Sequence, residues 1–416
     1  MVVIIFEVLG PYLCARLNAA QGVLPVYGIE MLARSPSYDW NESKNLLKVP
    51  YATLSEGDAK SGRTVGRLRL TMLRVLDHVR PAVVAIPGWS DKAALAALDW
   101  CQCRGVPAVI MSDSTEWDEH RVFWKEGIKR QIVRLGATAL VAGRAHVEYM
   151  EHLGMPRERI FIGYDAVDNA YFEAEVAKWR RQDREGSGAG QEDRKYFLAS
   201  NRFIEKKNLF RLLDAYAAYV QSTATPGRGL WPLVMLGGGE LRPKLLAHCA
   251  LLGLRVIESA PWEATPTTDN GQRTTVFFPG FRQYDELPRF YAYAGAFVHA
   301  STTEQWGLVV NEAMASGLPV IVSKRCGCAH ELVDNGVNGF TFDPWDVDQL
   351  AGLLQRVASP EFPLSAFGEA GRRIIADWGP ERFAAGLKKA VEKAQAQGNK
   401  RANLLDRLLL RALMMR

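Results

Sequence analysis

No run of about 18 or more apolar residues occurs in this 416-residue chain, so no segment reads as a membrane-spanning helix. Cysteine is scarce: Cys14, Cys249 and two Cys-x-Cys pairs, Cys101 with Cys103 and Cys326 with Cys328. Neither pair has zinc-site spacing or a companion cluster, so all six read as reduced thiols of a cytoplasmic protein. The fingerprint G-x-G-x-x-G is missing after the first apolar strand, which argues against a nicotinamide oxidoreductase. An Asp-x-Asp metal motif in a suitable loop is also absent. A large net charge of either sign is lacking: 51 Lys and Arg against 46 Asp and Glu leave a net +5. That excess is too small to argue for nucleic acid, and it suits an anionic substrate or an anionic membrane surface. The opening "MVVIIFEVLG" has no basic leader and no cleavage site, and it carries Glu7. It reads as a buried first strand rather than a signal peptide.

What is present is the composition of a globular protein, with 48% hydrophobic residues and length enough for two cores. Short apolar strands alternate with helical patterns at "PAVVAIPG" (81), "GVPAVIMSDS" (105), "ATALVAG" (137) and "RIFIGYDAV" (159). Such alternation marks βαβ units and a parallel sheet. The charged, glycine-rich stretch 180–196 reads as a flexible connection. The alternation then restarts at "YFLASN", "PLVMLGGG", "VFFPGF", "AFVHAS", "LPVIVS" and "GFTFDP", interrupted by an extended loop over 259–273. The expectation is α/β: an N-terminal Rossmann-like domain over 1–180, a second over 195–375, and C-terminal helices over 376–416 that pack back on the first. Open parallel sheets bind ligands beyond the carboxyl ends of their strands, so two of them facing one another would form a cleft.

The stretch "ASTTEQWGLVVNEAMASGLPVIVS", 300–323, carries Glu304 and Glu312 with seven residues between them. Gly307 frees the backbone, Leu308 to Ala315 keeps an apolar helical spacing, and Gly317-Leu318-Pro319 ends the helix before the strand Val320 to Ser323. Glu304 therefore lies on the loop entering a helix, and Glu312 about a turn inside it. A glycosidase pair would need two carboxylates placed across a sugar, usually from separate elements. A helix N-terminus beside a glycine suits phosphate, whereas carboxylates just outside it accept hydrogen bonds from hydroxyls. A ligand with both groups, such as a sugar nucleotide, satisfies the whole stretch. In "SNRFIEKKNL", 200–209, Arg202 follows a strand and Lys207 opens the next helix, a planar fork and a point charge that suit a diphosphate.

With "GCAHELVDNGVNGFTFDP" these strings resemble the donor half of the family-four retaining glycosyltransferases of GT-B fold, the glycosyl transferases group 1. The resemblance spans 196–350 and, over the N-terminal half, lies mainly in the order of elements. It implies that Glu304 bonds donor-sugar hydroxyls and Glu312 the ribose hydroxyls. The amides near Gly307 and Leu308, with Arg202 and Lys207, would hold the diphosphate, and Gly280-Phe281 would border the nucleobase. The chain departs from the family in three places. Asn201 stands where a glycine is usual. The first strand exits through "LGPYLCARL", where Gly10 alone allows close approach of backbone to ligand. After the fourth N-terminal strand "VIMSDSTEWDEHR" offers Ser112, Asp113, His120 and Arg121 in place of the usual histidine. Asp113 reads either as a ligand for acceptor or donor hydroxyls or as a helix N-cap, and further acceptor candidates are Tyr12, Trp89, Trp117 and Arg121.

The resulting expectation is a cytoplasmic, metal-independent retaining glycosyltransferase that moves a hexose from a nucleotide diphosphate sugar to an acceptor hydroxyl. It needs no cofactor, and its work would lie in glycan, polysaccharide or glycolipid synthesis. A sugar-nucleotide epimerase and a non-catalytic sugar-nucleotide-binding protein are the alternatives. The tail "NKRANLLDRLLLRALMMR", 399–416, has the composition of an interfacial helix. It suggests peripheral contact with the inner membrane face and a lipid-linked acceptor, unless its apolar stripe is ordinary core.

Overall fold

The computed structural model describes residues 1–34, 44–55, 62–186, 195–222, 230–263, 275–398 and 402–415. The chain divides into two compact units, one of Met1–Asp168 with Trp378–Arg416, the other Asn169–Asp377. The first unit runs β1 (Val2–Phe6), α1 (Pro11–Gln21), β2 (Val26–Glu30), β3 (Tyr51–Thr53), α2 (Gly62–Val79), β4 (Val83–Pro87) and α3 (Lys92–Arg104). It continues through β5 (Ala108–Ser112), α4 (Phe123–Leu135), β6 (Thr138–Val141), α5 (Arg144–His152) and β7 (Ile160–Ile162). The second unit opens with α6 (Asn169–Gly186), β8 (Phe197–Ser200), α7 (Leu209–Ser222), β9 (Leu233–Leu236), α8 (Arg242–Leu251) and β10 (Arg255–Ile257). It goes on with β11 (Thr275–Gly280), α9 (Leu287–Tyr293), β12 (Ala296–His299), α10 (Leu308–Ala315) and β13 (Val320–Ser323). It ends with α11 (Ala329–Leu332), β14 (Gly339–Phe342), α12 (Val347–Ala358) and α13 (Leu364–Ile375), and the chain then returns to the first unit as α14 (Pro380–Gln397) and α15 (Leu404–Met415).

Each unit holds a seven-stranded sheet, ordered β3-β2-β1-β4-β5-β6-β7 and β10-β11-β9-β8-β12-β13-β14. The strand pairs are parallel throughout. Strands covered by helices on both faces are buried on both faces, which is why β1 reads VVIIF with every residue inside. The strand order reverses between β1 and β4 in the first sheet and between β8 and β12 in the second. Loops diverge at these reversals and leave room beyond the carboxyl ends.

The boundary between units falls at Asp168/Asn169, earlier than residue 180, because α6 packs within the second unit. Phe172 and Val176 are fully buried, and the Phe172 ring meets Tyr284 and Tyr291. The first part of the stretch expected as a flexible connection, 180–186, is therefore helical. Its first residues continue α6, since "RRQDREG" contains no breaker before the final glycine. Residues 187–194, and most of the loop over 259–273, lie outside the described residues. In the first unit α14 lays Phe383, Leu387, Ala390 and Val391 into the core between α1 and the sheet. A Cβ at Gly386 would stand 2.3 Å from the Ile162 carbonyl oxygen, so only glycine lets α14 approach this closely.

Candidate functional site

The loops after β8 and β12 meet at the reversal point of the second sheet. The Lys206 carbonyl accepts the Thr302 amide at 2.9 Å, and Asn208, in the left-handed region at φ 58°, donates to the Ala300 carbonyl at 3.1 Å. Behind them the turn "LGGGE" is a packing device rather than an open phosphate loop. The Asn201 amide donates to Leu236 and the Phe203 amide to Gly238, and a Cβ at Gly237, φ 125°, would meet the Asn201 oxygen at 1.9 Å. Gly237 thereby lets the strand exit carrying half-buried Arg202 lie flat on its neighbour. The tight contact at Asn201 is made from the partner side of the turn.

Glu304 lies where this seam opens, and four groups surround its carboxylate. Lys207 Nζ donates to Oε2, with Ser301 Oγ at 3.4 Å and His299 Nε2 at 3.5 Å from the same oxygen, while Lys206 Nζ stands 3.8 Å from Oε1. Burial opposes the charge, but Lys207, then His299 and Lys206, outweigh it and hold the carboxyl well below the usual range. Burial lowers the pKa of His299, which lies inside the unit with its Nδ1 facing no hydrogen-bond partner. Glu304 is thus a fixed anion among two ammonium groups and a hydroxyl. Gly307, at φ 105°, is the N-cap of α10, and Leu308 is its first residue.

Glu312 is fully buried on α10, and its Oε2 accepts the Tyr291 hydroxyl at 2.6 Å. Burial, then the Glu312 charge, pushes the Tyr291 phenol far up, so it remains a donor. Gly280 ends β11 at φ 85° with its carbonyl accepting the Gly237 amide at 3.0 Å. Phe281 beside it is 42% exposed and so does not belong to the core. Among the described residues, then, Arg202, Lys207, Glu304, Gly307, Leu308, Glu312, Gly280 and Phe281 all belong to the second unit, on strand exits or on α10. The triplet Asp346-Val347-Asp348 is a helix start, with the Asp346 carboxylate capping the Gln349 amide at 2.8 Å.

The first unit has its own cluster at the carboxyl ends of its strands. Gly10 is the N-cap of α1 with φ −80°, an ordinary conformation, so no left-handed geometry demands glycine there. Glu30 fixes that loop by accepting the Leu9 amide at 2.8 Å. One turn into α1, Arg16 pairs with Asp165 at 3.0 Å, donates to the Ala166 carbonyl at 3.0 Å and lies over the Tyr164 ring at 5.4 Å. Asp113, just past β5, caps no helix, since α4 begins at Phe123 with Val122 as its N-cap. Burial, then the neighbouring Asp165 charge, pushes the Asp113 carboxyl up to about 7, with Arg16 only partly offsetting them. Arg121 is not an open acceptor contact. It donates to the Glu116 carbonyl at 2.7 Å and to the Tyr149 hydroxyl at 2.8 Å, lies over that ring at 4.3 Å, and pairs with Asp118. His120 is exposed, whereas Tyr12 and Trp117 are half-buried and Trp89 packs edge-on to Tyr149.

Sequence reasoning missed His299, Asp165 and Arg16. His299 sits in an apolar strand and reads as core; the one signal is that it precedes Ser301 and Glu304 at a strand exit. Arg16 and Asp165 are 149 positions apart, and nothing local links them.

Two seven-stranded parallel Rossmann-like units with strand exits built in this way define the GT-B class of fold. A sucrose-phosphate synthase from Thermosynechococcus elongatus superposes with a TM-score of 0.71 at 16% identity, covering 95% of this chain and 99% of that one. An Anabaena protein in complex with UDP gives 0.67 at 16% identity over 94% and 99%. The model of the glycosyl transferases group 1 family matches residues 262–374. An uncharacterized glycosyltransferase of Methanocaldococcus jannaschii is 28% identical over 204 residues, 49% of this chain and 46% of that protein. The chain thus spans less than half the length of this curated relative.

Proposed function

We propose that the chain is a retaining, metal-independent glycosyltransferase that moves a hexose from a nucleotide diphosphate sugar to an acceptor hydroxyl. The observation that carries this reading is the compensated carboxylate at the entrance of α10. Lys206 and Lys207 surround the single anion Glu304, which leaves one surplus positive charge beside the first amides of the helix. A lone buried carboxylate would repel a phosphate; one already neutralised by Lys207 does not, and it keeps lone pairs for sugar hydroxyls. The surplus charge, Arg202 and the α10 amides would stabilise the departing diphosphate, which is electrostatic preorganisation without a bound metal. Phe281 offers an exposed ring beside Gly280 for the nucleobase, and Glu312 is the ribose ligand. In a retaining transfer the acceptor attacks the face the nucleotide leaves, and a donor phosphate oxygen takes the acceptor proton. Asp113 then serves as a hydroxyl ligand of the first unit, the acceptor-binding domain. The fold and the names of similar proteins support this class. The donor sugar follows from the experiment: a panel of sugar nucleotides, nucleotide release measured with and without EDTA. Release from at least one donor, undiminished by EDTA, is expected. No release from any donor, or an absolute demand for divalent metal, rejects the reading.

A further inference from the structure

The tail helix α15 is held in the first unit by an inner stripe and presents a second, outward apolar stripe. Inward, Leu410 and Met414 are buried in one cluster with Ile132 and Leu135 of α4, and Ala402 and Arg407 bond to Gln102 and Cys103 of α3. These contacts anchor the helix, so the outward residues are not needed to hold it. Outward lie Leu404, Leu405, Leu408, Arg411, Ala412 and Met415, at steps of one, three and four residues that place them on one face. Leu404 and Leu405 are 74% exposed and Met415 77%. An unpartnered row of this kind is costly in water.

Helix α4, tied to α15 through Arg134 and Asp406, also has a row of exposed residues along one face. Its outward positions are Phe123, Trp124, Gly127, Arg130, Gln131 and Arg134, and Phe123 is 92% exposed. The charge on these two outer faces has one sign. Asp406 pairs with Arg134 and Glu126 with Lys129, so the exposed ionised groups outside these pairs on the described residues of α4 and α15 are Lys125, Arg130 and Arg411. The neighbouring α2, which shares the same core cluster, carries exposed Arg67 and Arg74 flanking exposed Leu70, and an exposed Asp77 paired with Arg104 of α3.

We propose that this face of the first unit, the outer sides of α15 and α4, docks on an anionic lipid bilayer. Apolar side chains interspersed with cations fit the headgroup boundary: the Leu, Phe and Trp side chains enter it and the Arg and Lys groups meet lipid phosphates. A second copy of the chain is a poorer occupant, since it would bring cations against cations. This inference is independent of the glycosyltransferase reading, because it uses none of the site residues.

The test is flotation of the full chain with phosphatidylcholine vesicles and with vesicles containing phosphatidylglycerol, at low and high salt. Binding to the anionic vesicles that weakens with salt, and little to the neutral ones, is expected. Leu404→Glu/Leu408→Glu and, separately, Phe123→Ser/Trp124→Ser should each weaken anionic binding at least about tenfold with the thermal melt unchanged. Leu251→Glu, which alters an exposed leucine of the second unit, should bind as the parent. Equal binding to both vesicle types, binding by neither, or parent-like binding by both double variants overturns the proposal. A concentration-dependent dimer that the same variants abolish overturns it in favour of a second copy.

Discussion

Glu304 and Asp113 are both acids placed just beyond a strand of a seven-stranded parallel sheet, yet their surroundings push them in opposite directions. Glu304 has Lys207, Lys206, His299 and Ser301 around it and is held ionised. Asp113 has Asp165 and Asp118 near it, and Arg16, which only partly offsets their charge, is paired with Asp165. Burial alone raises both carboxyls; what differs is whether a cation is left over to repay the desolvation. The second unit therefore presents a constant charge, suited to a ligand whose charge never changes. The first presents a carboxyl that titrates near neutrality, suited to hydroxyls that both donate and accept hydrogen bonds.

The comparison breaks most severely if the cation is removed from the second unit. Lys207→Ala leaves Glu304 buried with its strongest compensation gone, a loss of about 3–5 kcal/mol when one partner of a buried pair is deleted. We expect a hundredfold or greater fall in kcat/KM for the donor. A new acid limb should also appear: the Glu304 pKa rises, so activity falls as pH drops through the raised value, a limb the parent lacks near neutrality. Lys206→Ala, with a longer ion pair and a more exposed ammonium, should do less. Steady-state pH profiles of the three proteins decide this, and parent-like profiles in Lys207→Ala would show that the pair sets neither charge nor binding.

In the first unit the sign is reversed. The folded-state pKa of Asp113, about 7, lies above the ordinary value near 4, so the native protein holds a proton that the unfolded chain releases. The Asp113 contribution to stability is therefore intact below about pH 4 and is lost as pH rises from there through about 7. Asp113→Asn remains neutral and escapes that loss. It should match the parent at pH 4 and exceed it at pH 8 by about 1–2 kcal/mol, or a few degrees in Tm, less than the roughly 4 kcal/mol of a rise from about 4 to about 7 expressed in full, because Asp113 is only half-buried and solvent screens it. Melting curves at both pH values check it; a variant less stable at pH 8 would mean that the ionised form is favoured in the native state.

Much of this contrast was legible along the chain, and the remainder was not, for reasons of distance. The stretch 300–323 declared its own structure: α10 and β13 begin and end where Gly307 and Gly317-Leu318-Pro319 punctuate it. The short strands β3 and β10 carried no pattern, because three residues in an edge position are specified by backbone pairing with a neighbour rather than by their side chains. Lys207 was recognisable as a cation at a helix opening. That its ammonium lies on Glu304, 97 positions away, depends on how the β8 and β12 loops are stitched together. The same holds for Arg16 and Asp165. Spacing identifies groups within one turn or loop, whereas the balance of charge around each carboxylate is set by the order of strands in the sheet.

The finest test concerns the second carboxylate of the second unit, where the partner is a neutral donor in place of a cation. Tyr291 and Glu312 are both fully buried, and the phenol remains protonated, so it donates to Oε2 at 2.6 Å. That bond leaves the carboxylate fixed in direction, which favours a ribose diol on its remaining lone pairs. Tyr291→Phe removes one charge-assisted bond and keeps the ring packing against Phe172 and Phe297. The loss should fall below the roughly 1.5–3 kcal/mol of a hydrogen bond to a charged group, since Glu312 can relax, and we expect a three- to tenfold weaker affinity for free nucleoside diphosphate. Glu312→Ala should weaken it further, while Glu304→Ala should leave nucleotide affinity nearly intact and depress transfer instead. Calorimetric titration of the three variants measures this ordering. Equal nucleotide affinities in Glu312→Ala and the parent would take the ribose away from Glu312, and with it the reason for a buried tyrosine aimed at its oxygen.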